Sequence, residues 1–183
     1  MNNNDARMLA DKLVMATRFA NFSRAEKLLT QGAALEHRDT GAIHWTASHG
    51  NTDFLKKLLD AGASVHDRDL NDAKPIHYAA WNGRTETILF LLEEGAELES
   101  RTWDGQTPLF AATMHGHLET VNLLLDAGAN PHGARDGQIS PLNWAKTQMK
   151  NDAIAKRLEQ ATKDWDSRGY AGKPESPKPA PHP

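Results

Sequence analysis

Nine histidines are the side chains of this 183-residue chain best suited to binding a metal or transferring a proton near neutral pH. His115 and His117 have the His-x-His spacing found in some metal sites. The chain contains no cysteine, and no carboxylate pattern around this pair completes a ligand set. We therefore expect no metal site.

Motifs for other kinds of chemistry are absent from the sequence. There is no G-x-S-x-G nucleophile elbow, no G-x-x-x-x-G-K-[ST] phosphate loop and no H-E-x-x-H metal-binding helix. The serines and carboxylates are left without the partners that nucleophilic or acid-base catalysis requires. We expect no catalytic residue and no cofactor, so that an enzyme is the remote alternative.

The balance of charges argues against nucleic-acid and membrane partners. Lys and Arg number 21 against 24 Asp and Glu, which gives a formal net charge of -3 without any basic cluster. No apolar run approaches the roughly 20 residues that span a bilayer, and the N-terminal sequence MNNNDARMLADKL does not resemble a signal peptide. As written, the chain is expected to be cytoplasmic; a signal peptide removed before numbering would leave no trace.

The elements that position these side chains are revealed by internal repetition. The string LLDAGA at 58–63 recurs as LLEEGA at 91–96 and as LLDAGA at 124–129, each 33 residues after the last, and a degenerate copy LLTQGA lies at 28–33. A second anchor keeps the same step of 33 residues: Ile43-His44, Ile76-His77, Leu109-Phe110 and Leu142-Asn143. Two independent anchors with one period indicate a stack of similar units.

Each unit has the signals of a helical hairpin. In the fourth, Thr107 can cap a helix and Pro108 suits its first position. Gly116 breaks the chain after about two turns, and apolar residues then recur at helical spacing until Gly128 ends a second helix. The segment 99–106 carries turn residues and is predicted to project sideways as a finger.

These features resemble the ankyrin repeat family, whose repeat reads roughly G-x-T-P-L-H-x-A-A-x-x-G-H followed by V-x-x-L-L-x-x-G-A. The closest matches are GQTPL at 105–109 and PIHYAA at 75–80. The resemblance implies an all-α solenoid of stacked helix-turn-helix units with finger-like β-turn loops. We divide the chain into an N-terminal extension (1–8), an ankyrin repeat domain (9–165) and a proline-rich tail (166–183). The five repeats are placed at 9–36, 37–66, 67–99, 100–132 and 133–165.

The two ends of the array depart from this pattern. The first copy lacks the Thr-Pro-Leu-His signature and has a connection three residues shorter. In the last copy, Met149 replaces the turn glycine and Arg157 replaces a core leucine. Such changes are expected in capping repeats. The tail holds five of the nine prolines in its last ten residues and is predicted to be disordered and partly polyproline II, either a linker or a proline-rich ligand.

The resemblance also implies roles for several polar and apolar positions. His44 and His77 are expected to tie adjacent loops together by hydrogen bonds. The partner surface is expected on the concave face, built from the exposed ends of the first helices and from the finger tips. The helix-end positions are Arg18-Phe19, Ser48-His49, Trp81-Asn82, Met114-His115 and Thr147-Gln148. The finger-tip positions are His37, Arg38, Thr40, Leu70, Asn71, Ala73, Trp103, Asp104, Gln106, Asp136 and Ile139.

Within that face, apolar residues that the repeat does not require are the informative ones. Together with their polar neighbours they match the composition of interface hot spots. The predicted partner-binding residues are Phe19, His49, Leu70, Asn71, Trp81, Asn82, Trp103, Asp104, Met114 and His115. Trp45 and Trp144 are expected to pack instead, and packing on the next repeat is the alternative for Trp81.

The predicted function is that of a protein–protein interaction module that binds one protein partner through its concave face and is a monomer when free. A compact, cysteine-free array without an accessory domain suggests a bacterial protein, and the hypothesis for its role is an inhibitor or immunity protein that acts on an enzyme or toxin. The alternative is a scaffold or targeting adaptor. The identity of the partner is not written in the sequence.

Overall fold

The computed structural model describes residues 3–35, 41–133 and 139–167. Within those ranges the chain forms ten α-helices and one π-helix, and no strand. The all-α class expected from the sequence is confirmed. The helices are α1 (Asn3–Arg18), α2 (Phe22–Thr30), α3 (Ala42–His49), α4 (Thr52–Asp60), α5 (Pro75–Trp81), α6 (Thr85–Glu93), α7 (Pro108–Met114), α8 (Leu118–Asp126), α9 (Pro141–Trp144), the π-helix Ala145–Met149 and α10 (Asp152–Ser167).

Two predicted boundaries fall inside helices. Helix α1 begins at Asn3 and runs through the boundary placed between residues 8 and 9, and α10 continues past residue 165 to Ser167. The tail from residue 168 onward lies outside the described residues. So do four predicted finger-tip residues: His37, Arg38, Thr40 and Asp136.

The helices form five hairpins that stack in chain order. Each first helix (α1, α3, α5, α7 and α9) packs against the next first helix, and these helices approach one another more closely than the second helices do. Small buried residues such as Ala47, Ala79 and Ala112 permit that approach. The stack therefore curves toward the first helices, which we call the inner helices.

The core repeats with the same period as the sequence. Leu58, Leu91 and Leu124, each 33 residues apart, are fully buried on the second helices. Polar caps satisfy the free N–H groups at helix starts: Oγ1 of Thr107 accepts from the N–H of Phe110 at 3.2 Å. The hairpins are thus built by local signals and held together by a continuous apolar core.

The predicted role of His44 and His77 is confirmed by their hydrogen bonds. The backbone N–H of Lys74 donates to Nδ1 of His77, and Nε2 of that ring lies 3.2 Å from the carbonyl oxygens of both Ser100 and Gln106. The bonds of His44 follow the same pattern one repeat earlier. Burial lowers the pKa of His77 to about 4, so the ring is neutral at physiological pH.

The last repeat differs from the prediction because it contains one additional residue. The π-helix accommodates that residue, and Lys150, with φ of 48°, takes the left-handed turn position that Gly116 occupies one repeat earlier with φ of 79°. The prediction that Met149 replaces the turn glycine is therefore wrong. The register stays shifted by one residue beyond the turn.

The same shift corrects the prediction that Arg157 replaces a core leucine. Leu158, which is fully buried, takes the position of Leu124 in the previous repeat. The guanidinium of Arg157 instead points to α8, one of the second helices of the hairpins, which we call the outer helices, and its Nη2 lies 2.6 Å from Oδ1 of Asp126. The core leucine is thus retained in the last repeat.

Candidate functional site

A row of three half-buried aromatic rings runs across two inner helices. Trp45 and Tyr78 follow the anchor histidines of α3 and α5, and their ring centroids are 5.9 Å apart. Tyr78 also contacts Trp81, one turn later on α5, at 5.1 Å. Both contacts are T-shaped, the geometry that aromatic quadrupoles favour. We call Trp45, Tyr78 and Trp81 the aromatic row.

A charged side chain extends this row into the first repeat. The guanidinium carbon of Arg18 lies 5.3 Å from the centroid of the Trp45 ring. A cation over an indole face is an attractive arrangement. One line of contacts therefore connects inner helices of the first three repeats.

The row is fixed to the finger formed by residues 67–73. The phenol of Tyr78 donates to Oδ2 of Asp69 at 2.8 Å, while Oδ1 of Asp69 accepts from the N–H groups of Asn71 and Ala73. Asp69 therefore shapes the turn and orients the tyrosine at once. Ala73, predicted at the finger tip, is fully buried instead, because the chain turns inward there to begin α5.

The finger tips present the most exposed large apolar side chains of this region. Leu70 is 79% exposed and Trp103, on the finger formed by residues 100–106, is 64% exposed. The backbone N–H of Trp103 donates to the carbonyl oxygen of Asn71 at 2.9 Å, which joins the two fingers. Asp104 accepts from Nε2 of Gln106 at 2.8 Å. The structure thus brings Leu70, Asn71, Trp103 and Asp104 together.

The predicted helix-end residues have varied environments. Phe19 is 69% exposed at the end of the first repeat, and Met114 is half-buried. Nε2 of His49 lies 3.0 Å from the carbonyl oxygen of Arg18, and Nδ2 of Asn82 donates to that of Tyr78 at 2.9 Å. These two polar side chains therefore cap the ends of helices.

His115, another predicted helix-end residue, belongs to a histidine pair. The exposed ring of His115 stacks on that of His117 at 6.3 Å. Partial burial and the neighbouring His117 lower the pKa of His115. Nε2 of His117 lies 2.9 Å from the carbonyl oxygen of Trp81, so His117 links the fourth repeat to the aromatic row.

Sequence reasoning missed Tyr78 as part of this surface, placed Arg18 on it without its contact to Trp45, and treated Trp45 as packing alone. The signal that could have found them is position: Trp45 and Tyr78 are 33 residues apart and so occupy equivalent sites on adjacent inner helices. Trp144, at the equivalent site of the last repeat, packs on Phe110 at 5.7 Å as expected. Ile139, a predicted finger-tip residue, is exposed.

Chemistry beyond binding finds little support in the described parts of the chain. No group of three or more histidine, aspartate or glutamate side chains there could hold a metal ion. A shallow hollow between the first and second repeats is lined by Leu13, Ala42, Ile43 and other small or apolar residues, with Asp67 as its one described ionisable residue. Convergent ionisable groups of the kind that catalysis requires are missing from it. Among the described helices, none has the length and apolar character needed to cross a bilayer.

Comparison with known proteins agrees with the repeated architecture. The family model described as "Ankyrin repeats (3 copies)" matches residues 13–102, and the one described as "Ankyrin repeat" matches residues 104–137. These matches begin within α1 and extend through the fourth hairpin, and they include the finger of residues 67–73 and the aromatic row; Trp103 lies between the two matches. No curated protein matches the chain.

Proposed function

Because this chain belongs to the ankyrin repeat family, whose members are generally protein–protein interaction modules, we propose that it binds one protein partner through its inner helices and fingers. The observation that carries the proposal is the aromatic row beside two exposed apolar finger tips. We call the surface formed by the row, Leu70 and Trp103 the inner surface.

The composition of the inner surface supports this proposal. Aromatic side chains dominate the binding energy of protein interfaces because they bury a large area while losing few rotamers. Trp103 and Leu70 are exposed at the finger tips, whereas Trp81 and Trp45 are half-buried and already ordered by ring contacts. A partner that covers all four would meet preformed aromatic contacts, which lowers the entropy cost of binding.

The outer helices offer a weaker alternative. Leu89 on α6 is 44% exposed, but the helix around it carries no exposed aromatic side chain. A single exposed leucine is normal on a soluble protein. Leu89 is therefore a matched apolar control for any substitution on the inner surface.

The finer role that we propose is inhibition of an enzyme or toxin, as an immunity protein does, with the inner surface covering the partner's functional site. Ankyrin repeat proteins are typically non-enzymatic, which fits a role exerted by occlusion. A scaffold or targeting adaptor is the second candidate. The two differ in one measurable way: an inhibitor abolishes its partner's activity at equimolar ratio, whereas an adaptor leaves it intact.

Hydrogen exchange of the complex tests the surface. The partner is isolated by affinity capture from the native host, purified, and mixed with the chain at saturating concentration. Peptides that cover residues 67–73 and 100–106 should become protected, while peptides from α6 and α8 should change little. Protection of α6 and α8 without protection of the fingers would contradict the proposal.

A further inference from the structure

We propose that the aromatic row is a docking site for the chain's own proline-rich segment, residues 173–183, bound as an extended polyproline-II strand. The inference deepens the proposed function and rests on it for one consequence. The docked segment would cover the surface that binds the partner. The docking itself can be tested without a partner.

The spacing of the row fits this ligand. The centroids of Trp45 and Trp81 each lie within 6 Å of Tyr78, so the two indoles are at most about 11 Å apart. A polyproline-II strand rises about 3.1 Å per residue with three residues per turn, which places residues i and i+3 on one face about 9 Å apart. Pro174 and Pro177 have that separation, so one ring can rest on the indole of Trp81 and the other against that of Trp45, beside the guanidinium of Arg18.

The row also supplies hydrogen-bond donors. Nε1 of Trp45 and Nε1 of Trp81 donate no hydrogen bond to any described residue. Buried polar atoms without a partner do occur in the described chain, but these two nitrogens are not among them. Both N–H groups therefore reach the surface. The carbonyl groups of a polyproline-II strand make no internal hydrogen bonds and can accept from such donors, which is how aromatic-lined grooves recognise proline-rich segments.

The segment is long enough to reach the row. Pro174 and Pro177 lie seven and ten residues after Ser167, the last residue of α10, so in polyproline-II geometry they reach about 22 Å and about 31 Å from it. Packed helices lie about 8–10 Å apart, so Trp81 on α5 and Trp45 on α3, two and three inner helices from α9, are about 20 Å and about 30 Å along the stack from the last repeat. A fully extended segment therefore spans these distances.

Charge favours the same placement. Residues 173–183 carry two basic side chains and one acidic side chain. The finger that Asp69 ties to Tyr78, residues 67–73, carries three acidic side chains and one basic side chain. A segment with net charge +1 thus docks beside a finger with net charge -2, an attraction that salt will weaken.

The consequence is competition with the partner. A short tether gives an effective concentration on the order of 1 mM. If the free segment binds with a Kd of about 0.1 mM, about nine-tenths of the molecules are covered, and partner affinity falls about tenfold. The same surface would then be open or covered according to whether the partner outcompetes the segment.

Indole NMR signals of the full-length protein test the docking. The five tryptophans give separate N–H resonances, assigned by single Trp→Phe substitutions. The full-length variant with Pro174→Ala and Pro177→Ala should shift the resonances of Trp45 and Trp81 and leave those of Trp144 and Trp165 in place. The matched control with Pro179→Ala and Pro181→Ala removes two prolines from other faces of the strand and should shift them less.

A second arm adds a synthetic peptide of residues 168–183 to the full-length Pro174→Ala, Pro177→Ala variant. The Trp45 and Trp81 resonances should return toward their wild-type positions along a saturable curve. Unchanged resonances in the variant, or a peptide that shifts only Trp144 or Trp165, would overturn the inference. Because no partner is used, these results are independent of whether the proposed protein partner exists.

Discussion

The phenol of Tyr78 donates a hydrogen bond of 2.8 Å to Oδ2 of Asp69, and this bond joins an inner helix to the finger that precedes it. Asp69 is buried and also accepts two backbone N–H groups of the same finger. A single carboxylate therefore sets both the turn at the finger tip and the orientation of the central ring of the aromatic row.

Loss of that bond should be measurable in stability. Tyr78→Phe removes a hydrogen bond to a buried charged acceptor, which typically costs about 1.5–3 kcal/mol. Urea denaturation of the wild type and the variant gives the difference. In an Asp69→Ala background the same substitution should cost much less, and an equal cost in both backgrounds would show that the bond contributes nothing.

The additional residue in the last repeat leads to a second prediction about stability. Lys150 holds a left-handed φ that a β-carbon disfavours, so Lys150→Gly should raise the free energy of unfolding by up to about 1 kcal/mol. The matched control, Gln148→Gly, lies inside the π-helix and should lower it by a similar amount. Destabilisation by Lys150→Gly would contradict the shifted register.

The neutral His77 ring predicts how stability depends on pH. Burial holds its pKa near 4 in the folded chain, below the ordinary value of 6.5, so between these values the unfolded chain binds more protons. The free energy of unfolding should therefore fall as pH falls, by about 2 kcal/mol from pH 7 to pH 5. His44, whose pKa is lowered by the same cause, adds to the slope.

Urea denaturation at several pH values measures this slope. His77→Gln removes one titrating group, so the variant should be less stable at pH 7 and should lose less stability on acidification. A slope equal to that of the wild type would show that His77 does not contribute to it. Working above pH 5 keeps most carboxylates ionised in both states.

The sequence was enough to predict most of the fold because its signals are local and repeated. A glycine with positive φ follows the end of the second helix in three repeats, at Gly62, Gly95 and Gly128. The leucines before these glycines recur with the same period. The additional residue near Lys150 could not be predicted, because no Gly-Ala pair follows it to reveal the shifted register. A single inserted residue in a degenerate repeat leaves the earlier anchors unchanged.

The candidate site could be predicted only in part. The exposure of Leu70 and Trp103 follows from apolar residues at turn positions where the repeat pattern does not require them. The contact between Trp45 and Tyr78 depends on ring orientations across two repeats, which spacing alone does not determine. The burial of Ala73 depends on where the finger turns inward, and turn residues do not specify that point.

Calorimetric titration of the purified partner into single-site variants tests the central claim most directly. Trp81→Ala and Trp103→Ala should each weaken binding by at least about 30-fold, or roughly 2 kcal/mol, because truncated interface aromatics leave unfilled contacts on both proteins. Leu89→Ala, on outer helix α6, should change affinity less than about threefold. Circular dichroism establishes beforehand that each variant is folded. Wild-type affinity in both tryptophan variants, or a larger loss in Leu89→Ala, would contradict binding through the inner surface.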